Sequence, residues 1–354
     1  MNNVQSTPKV KRETKNTIKV EFDRTPFWER MKAKFVNKNF FVKLIWAIFR
    51  YVILIGISYI ILFPFFTKIA SSFMGPEDFV DATVKLIPKN FTLDTYKYIF
   101  LENKYMQALG NTALLSIAAA LLQTFVCAMI GYGLAKFKFK GNKLLFVLVI
   151  FSMIIPHQTL QLSLFMKFRY FDVLGIIQTL GGGSRLFPHL NVTGGITSIN
   201  LTNTFWPLAL LSATGLAFKN GLYIFMMRQF YRGVPNELEE SAYIDGSGIF
   251  STFIRIILPL SIPMMITVFL FAFSWQWTDT FYTSLFWTRS SVVLMKNVIA
   301  IPESLNITYA GSNMYNAAIR NTCGLMIIAP LVIIYLFCQR YLIQGIERSG
   351  MTAD

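Results

Sequence analysis

The stretch PNELEESAYIDGSGIFSTFIRIILPLSIP, Pro235 to Pro263, decides how the chain is read. Pro235 and Asn236 are a helix-start signal. Glu237, Glu239 and Glu240 follow where the positive end of a helix dipole favours acids. Leu238, Ala242 and Tyr243 share one face at helical spacing. Asp245-Gly246 breaks this helix, because glycine tolerates the left-handed cap conformation. A second apolar periodicity runs through Ile249, Phe250, Phe253, Ile254 and Ile257 to an expected stop at Leu258-Pro259. The product is helix, turn, helix, with an apolar face that its own loop cannot bury. Apolar segments long enough to span a bilayer lie on both sides.

Composition sets the class. Of 354 residues, 54% are hydrophobic and only 14% charged, too little charge to cover a soluble protein of this length. The pattern is that of a polytopic, all-α membrane protein. A net charge of +15 raises nucleic acid as a partner. The basic residues instead concentrate in the N-terminal tail and in short loops, as positive-inside topology requires, so no nucleic-acid role is read from them. Cys127, Cys323 and Cys338 lie in apolar runs without a C-x-x-C and read as packing residues.

Working outward, residues 1–43 read as a mobile, basic cytoplasmic tail, with Phe27, Trp28, Met31 and Phe35 on one face of a possible interfacial helix. The expected spans are Leu44 to Phe66, Asn111 to Phe137, Leu144 to Met166, Phe205 to Phe230, Ile262 to Phe286 and Thr322 to Ile343. Lys136, Lys138, Lys140 and Lys143 mark an inside loop, as do Arg228 and Arg232 before the opening stretch. Pro156 should kink the third span. A Gly- and Ser-rich insertion at 176–204 reads as external and flexible. Its Gly181-Gly182-Gly183 run lacks the Gly-Lys-Ser/Thr ending of a phosphate cradle.

Polar groups at membrane depth need a cavity, a partner or water. Gln158, Lys219, Asn220, Trp277 and Asp279 are therefore the candidates for a translocation path. An aromatic face with a few polar groups suits a sugar. For Lys219 an ion pair with a partner subunit stays open beside a path role. Trp275 and Trp277 also read as interfacial belt residues, and His157 as an interior residue.

Glu240-Ser241-Ala242, two residues, Asp245-Gly246, then Ile256 and Leu258-Pro259 resemble the EAA loop of binding-protein-dependent ABC importer permeases, with Ser241 where the family has alanine. Leu86 to Phe100, Gly131-Tyr132 with Ala135-Lys136, Pro156-x-Gln158, SWQWTDTF and Gln339-Arg340-Tyr341 with Gly345 also resemble that family, of the maltose-permease G-subunit type. The tail after Gly345 departs from it.

The resemblance implies the type I importer permease fold: six transmembrane helices, both termini cytoplasmic, in the plasma (cell inner) membrane. The permease domain would cover 44–346, with the coupling loop at 235–263 and a short cytoplasmic tail at 347–354. It assigns ATPase coupling to Glu240, Ser241, Ala242, Asp245, Gly246, Ile256, Leu258 and Pro259. It implies a second, homologous permease, a cytoplasmic ATPase dimer binding ATP-Mg, and an extracytoplasmic solute-binding protein. An oligosaccharide or related sugar is the expected solute. This chain has no Walker motif, no nucleophile–base set and no metal-ligand cluster, so it is not expected to be an enzyme or to bind a cofactor. Two other classes remain: a secondary transporter working without an ATPase, which would carry paired ionisable groups at mid-membrane, and a non-transporting membrane scaffold or sensor.

The six-span reading is checked by single cysteines in a cysteine-free background. An impermeant thiol reagent added outside should label Ser184→Cys and Ser312→Cys and leave Asn142→Cys untouched. Labelling at position 142 in intact cells refutes this topology.

Overall fold

The computed structural model describes residues 10–12, 18–20, 28, 38–172, 191–193, 196–217, 219–288 and 292–350. Two compact units divide at Thr67/Lys68. The described residues are overwhelmingly helical, with two short antiparallel hairpins, β1 (Val10–Arg12) with β2 (Ile18–Val20) and β3 (Asn191–Thr193) with β4 (Ile196–Ser198). The expected tail therefore carries a hairpin, and its helix begins earlier than the expected span: α1 runs Lys38–Ser71. Of the expected interfacial helix only Trp28 falls within the described residues, exposed. Nearly every large apolar side chain of α1 from Phe41 to Phe66 is exposed, the surface a lipid-facing helix presents.

In the second unit α2 (Asp94–Glu102) leads into α3 (Tyr105–Lys136). Among the described residues, three helices are by themselves long and apolar enough to cross a membrane, at Phe41–Ser71, Tyr105–Lys136 and Ser312–Leu342. The buried share of their most apolar windows is 0%, 44% and 11%, which identifies α3 as the centre of the bundle. Its sequence explains this. Ala108, Ser116, Ala120, Cys127, Ala128 and Gly131 are small and buried, so other backbones approach closely. Packed on α3 are α6 (Trp206–Ala213), α7 (Asn220–Arg232) and α10 (Ile262–Trp277), and α10 also packs on α12 (Ser312–Gly350).

Prolines shape the rest. The third expected span breaks into α4 (Asn142–Ile154) and α5 (Gln161–Arg169), bent by 93° at Pro156. This is a fold-back rather than the expected kink. Phe168 of α5 is buried with Leu208, Leu211 and Phe286, which holds α5 against α6 and α11 (Phe281–Phe286). The fourth and fifth expected spans are likewise interrupted, between Ala213 and Asn220 and between Trp277 and Phe281. The last part of the expected flexible insertion is anchored. Phe171 and Ile199 form a bridge, and Asn203 N–H donates to Phe286 O at 2.7 Å. Residues 176–190, 194 and 195 of it lie outside the described residues.

Pro330 inside α12 cannot donate to the carbonyl of Met326, four residues back. The Tyr105 hydroxyl of α3 donates to that carbonyl at 2.9 Å, and the Trp277 indole N–H of α10 donates to the next one, Ile327, at 2.9 Å. Three helices thus meet where one of them lacks a backbone bond. Near the start of α3, Asn103 donates to Val298 O and Ala300 O, and Asn111 to Val293 O. Met295 N–H donates to Thr112 Oγ1, so segment 293–300 is tied to α2–α3.

The α3–α7 contact depends on a missing side chain. A Cβ on Gly131 would stand 2.7 Å from Met227 Cβ and 3.0 Å from the Arg228 backbone nitrogen. Gly131→Ala should therefore force the helices apart and cost about 1–3 kcal/mol. A lowered melting temperature in detergent checks it, with Gly133→Ala as the control, where a Cβ would meet only Phe137 Cδ2 at an ordinary 3.9 Å.

Candidate coupling loop and solute path

The opening stretch folds as α8 (Glu237–Ile244), a turn, and α9 (Ile249–Leu260). Gly246 has φ +81°, Ser247 N–H donates to Ala242 O, and Gly246 N–H to Tyr243 O. This is the Schellman arrangement, which closes the last carbonyls of α8 and requires the left-handed residue that glycine supplies. The second helix does not stop at Leu258-Pro259 as expected. It takes a π turn over Phe253–Ile257 and continues to Leu260. Pro259 has no N–H for the ladder, and Leu258 N–H reaches back five residues to Phe253 O, so the π turn absorbs the irregularity. The chain then bends by 77° into α10.

Both ends of the loop are tied to the bundle. At the entry Lys136 Nζ, at the end of α3, donates to Val234 O at 2.6 Å and to Asn236 Oδ1 at 2.8 Å. It also lies 3.7 Å from Glu239 Oε1. Both side chains of this ion pair are nearly buried, at 6% and 10% exposure. Burial pushes the Glu239 carboxyl above its ordinary value, and Lys136 only partly offsets that. At the exit the Tyr231 hydroxyl donates to Ser261 Oγ at 3.1 Å, and Ser261 Oγ–H donates to Leu258 O. Between these ties Tyr132 packs on Phe253 and Tyr231, with ring centroids 4.9 and 5.6 Å apart.

Of the assigned coupling residues, Ala242 is buried, Ile256 and Leu258 are half-buried, and Glu240, Ser241, Asp245, Gly246 and Pro259 are exposed. The far side of the loop is apolar and open. Ile244 is 86% exposed, Phe250 66% and Ile249 58%. The sequence reading missed Lys136 and Glu239 as the pair that seats this loop. Their signal was a basic residue ending one apolar run and an acid in the first turn of α8.

The path candidates separate. Gln158 and Lys219 line one cleft of about 340 Å³, with His157, Ser152 and the backbone turn at Gly215. Lys219 Nζ sits 4.8 Å from the centre of the Trp275 ring. His157 Nδ1 lies 3.3 Å from the Tyr282 hydroxyl. Asn220, Trp277 and Asp279 lie outside the lining of that cleft and have contacts of their own. Asn220 is fully buried, its carbonyl 3.8 Å from the Cys127 sulfur of α3. Trp277 is buried against Phe273 and serves the α12 backbone. Asp279 accepts the backbone N–H groups of Phe281, Tyr282 and Thr283, the first turn of α11. It reads as a helix-terminal anchor. The indole presented outward is Trp275, 47% exposed, two residues before Trp277. Met264, Val268 and Ala272 set a buried face that continues to Gln276 and Trp277 and leaves Trp275 outside it. No group of metal-binding side chains is found among the described residues.

Residues 127–348, more than half of the chain, match the family model of the binding-protein-dependent transport system inner membrane component, and the chain belongs to that family of ABC importer permeases. Among similar proteins are Protein LplC of Bacillus subtilis (strain 168), 29% identical over 298 residues covering 82% of this chain and 89% of that protein. The arabinooligosaccharides transport system permease protein AraQ of Halalkalibacterium halodurans is also 29% identical, over 301 residues covering 83% and 92%. A crystal structure of a bacterial ABC transporter involved in the import of the acidic polysaccharide alginate contains a chain of the same fold. That chain has a TM-score of 0.62 at 16% identity, with 90% of this chain and 99% of that one covered.

The entry tie gives a pH-dependent prediction. Lys136→Met leaves a carboxylate nearly buried without its cation, which costs about 3–5 kcal/mol when a buried pair is broken. A carboxyl raised above its unfolded value binds its proton more readily when folded, so folding gains stability as pH falls through the folded value. The melting deficit of Lys136→Met against the parent should be largest at pH 8 and shrink on acidification. A deficit independent of pH counts against Glu239 as its cause.

Proposed function

We propose that this chain is one of two homologous permease subunits that form the membrane pathway of an ATP-driven sugar importer. It crosses the plasma (cell inner) membrane six times with both termini cytoplasmic, and residues 235–263 are its cytoplasmic coupling loop. Two ATPase subunits bind and hydrolyse ATP-Mg, and an extracytoplasmic binding protein delivers the solute. This chain supplies the path and the lever. The observation that carries this reading is the contrast within the loop. Its roots are fixed by Lys136 and by Tyr231–Ser261, while Ile244, Ile249 and Phe250 stand exposed at its tip. An apolar tip on a fixed base suits a helix seated in a groove of another protein. Closure of the ATPases would move the loop as a rigid body and switch access between the two sides. A sugar is favoured by the relatives, whose names include arabinooligosaccharides and alpha-glucoside transport system permeases. The Trp275 indole and a few polar groups near a cleft fit such a solute.

Two loop variants test the reading. Gly246→Val places a β-branched residue at φ +81° and should cost about 1–3 kcal/mol of local strain, tilting α9. Glu240→Ala removes an exposed carboxylate, whose charge-assisted hydrogen bonds to a partner surface would be worth roughly 1.5–3 kcal/mol. Both variants should insert at normal abundance yet lose the ATPase on purification, or keep it without binding-protein-stimulated ATP turnover. Unchanged stimulation and uptake in both would remove this loop as the coupling element.

A further inference from the structure

One face of α1 is charged at its first turns and uncharged beyond them. A cleft of about 780 Å³ is lined, among the described residues, by Lys43, Trp46, Arg50, Ile53, Leu54 and Ile57. These positions recur at three- and four-residue steps, so they stand on one side of the helix. All of them are exposed. Within Lys38–Ser71 the charged residues are Lys38, Lys43, Arg50 and Lys68, with no aspartate or glutamate. From Tyr51 to Thr67 there is no charge of either sign.

Arg50 lies two turns beyond Lys43, about 10 Å along the axis. A cation that far into an apolar helix needs a counter-charge or a route to the interface. Neither residue forms an ion pair with another described residue. The Arg50 guanidinium stands 5.4 Å from the centre of the Tyr51 ring, a contact that leaves its charge in place. Helical side chains lean toward the N-terminus and long basic ones snorkel, so Arg50 reaches toward Lys43 and the two define one cationic locus. Trp46 lies between them, 65% exposed, an indole suited to the boundary between headgroups and acyl chains.

We propose that this face of α1 binds one anionic glycerophospholipid of the phosphatidylglycerol type. Its phosphodiester bridges Lys43 and Arg50, its glycerol backbone lies beside Trp46, and an acyl chain runs along Ile53, Leu54 and Ile57. The order of chemistry along the helix, two cations, an indole and then uncharged aliphatic residues, is the order of chemistry along such a lipid. A helix of a second subunit would need an acid at the level of Arg50 to match it, and an acid is as costly at that depth as the arginine. This inference rests on the reading of α1 as a membrane span.

The test uses the full transporter, delipidated and reconstituted in phosphatidylcholine vesicles. Phosphatidylglycerol and phosphatidylcholine, each brominated near the carboxyl end of the same acyl chains, are titrated in as quenchers of tryptophan fluorescence. The Trp46 signal is the difference between the parent and Trp46→Phe. Brominated phosphatidylglycerol should quench it at about thirtyfold lower mole fraction than brominated phosphatidylcholine, the preference that two cationic contacts give. Lys43→Gln with Arg50→Gln should lose most of this preference, and Arg50→Lys should keep it. The parent and Trp46→Phe decide the selectivity even where the double variant fails to insert. Equal quenching by the two lipids, or quenching by neither, overturns the proposal. Displacement of the lipid by inorganic phosphate also overturns it, because the site would then hold a free anion. So does loss of the second permease from the double variant on purification, because the two cations would then pair across subunits. The span reading is judged separately with an impermeant thiol reagent. Ala82→Cys should be labelled from outside intact cells and Ser6→Cys only after permeabilisation, and labelling of both from outside means that the span reading itself has failed.

Discussion

One buried cation organises the end of this protein that carries the helix-turn-helix loop. Lys136 closes α3, the helix on which the bundle is packed, and its ammonium serves the Val234 carbonyl, the Asn236 side chain and the Glu239 carboxylate. All three belong to the approach and first turn of α8. Removing a charge from water is costly unless several oxygens replace the solvent, so the geometry of the approach is dictated by what Lys136 needs. The Asn236 side chain, which would ordinarily cap its own helix, is used for this instead. The loop is thereby tied to the end of the central helix α3 through Lys136 rather than joined to it by a loose connection.

The exit of the loop follows the same logic with neutral groups. Tyr231 and Ser261 hydrogen-bond in a buried setting, and Phe253 and Tyr132 fill the space between the two ties. The π turn over Phe253–Ile257 and the bend at Ser261 then send the chain into α10. Irregular backbone is concentrated where direction must change, and each irregularity has a local chemical cause in Pro259 or Ser261.

Local rules written in the sequence were read well. The start of α8 at Glu237, its end at Asp245-Gly246 and the positive φ of Gly246 all follow from residue types acting within one turn. What depended on distant partners was not legible. Pro156 announces an irregularity, but the 93° bend is set by Phe168 finding Leu208 and Phe286 far along the chain. Trp275 and Trp277 look alike in sequence, and only a full accounting of the α10 face separates the outward ring from the buried one. Asp279 drew attention as an acid at membrane depth. Its neighbours Phe281 to Thr283 begin a helix, and an acid just before a helix start is also a capping signal.

The proline in α12 bears on how the chain is made. Helices α3 and α10 precede α12 in synthesis, and the Met326 carbonyl has no donor within its own helix. While α12 is alone in lipid that oxygen is unsatisfied, a state hydrocarbon does not tolerate well. Docking brings the Tyr105 hydroxyl to it and the Trp277 indole to the next carbonyl. Helix α12 thus gains stability in the membrane when α3 and α10 are docked against it. A bundle in which α3 is displaced leaves the Met326 carbonyl without its side-chain donor, so correct packing of α3 and the satisfaction of the α12 backbone are one and the same event.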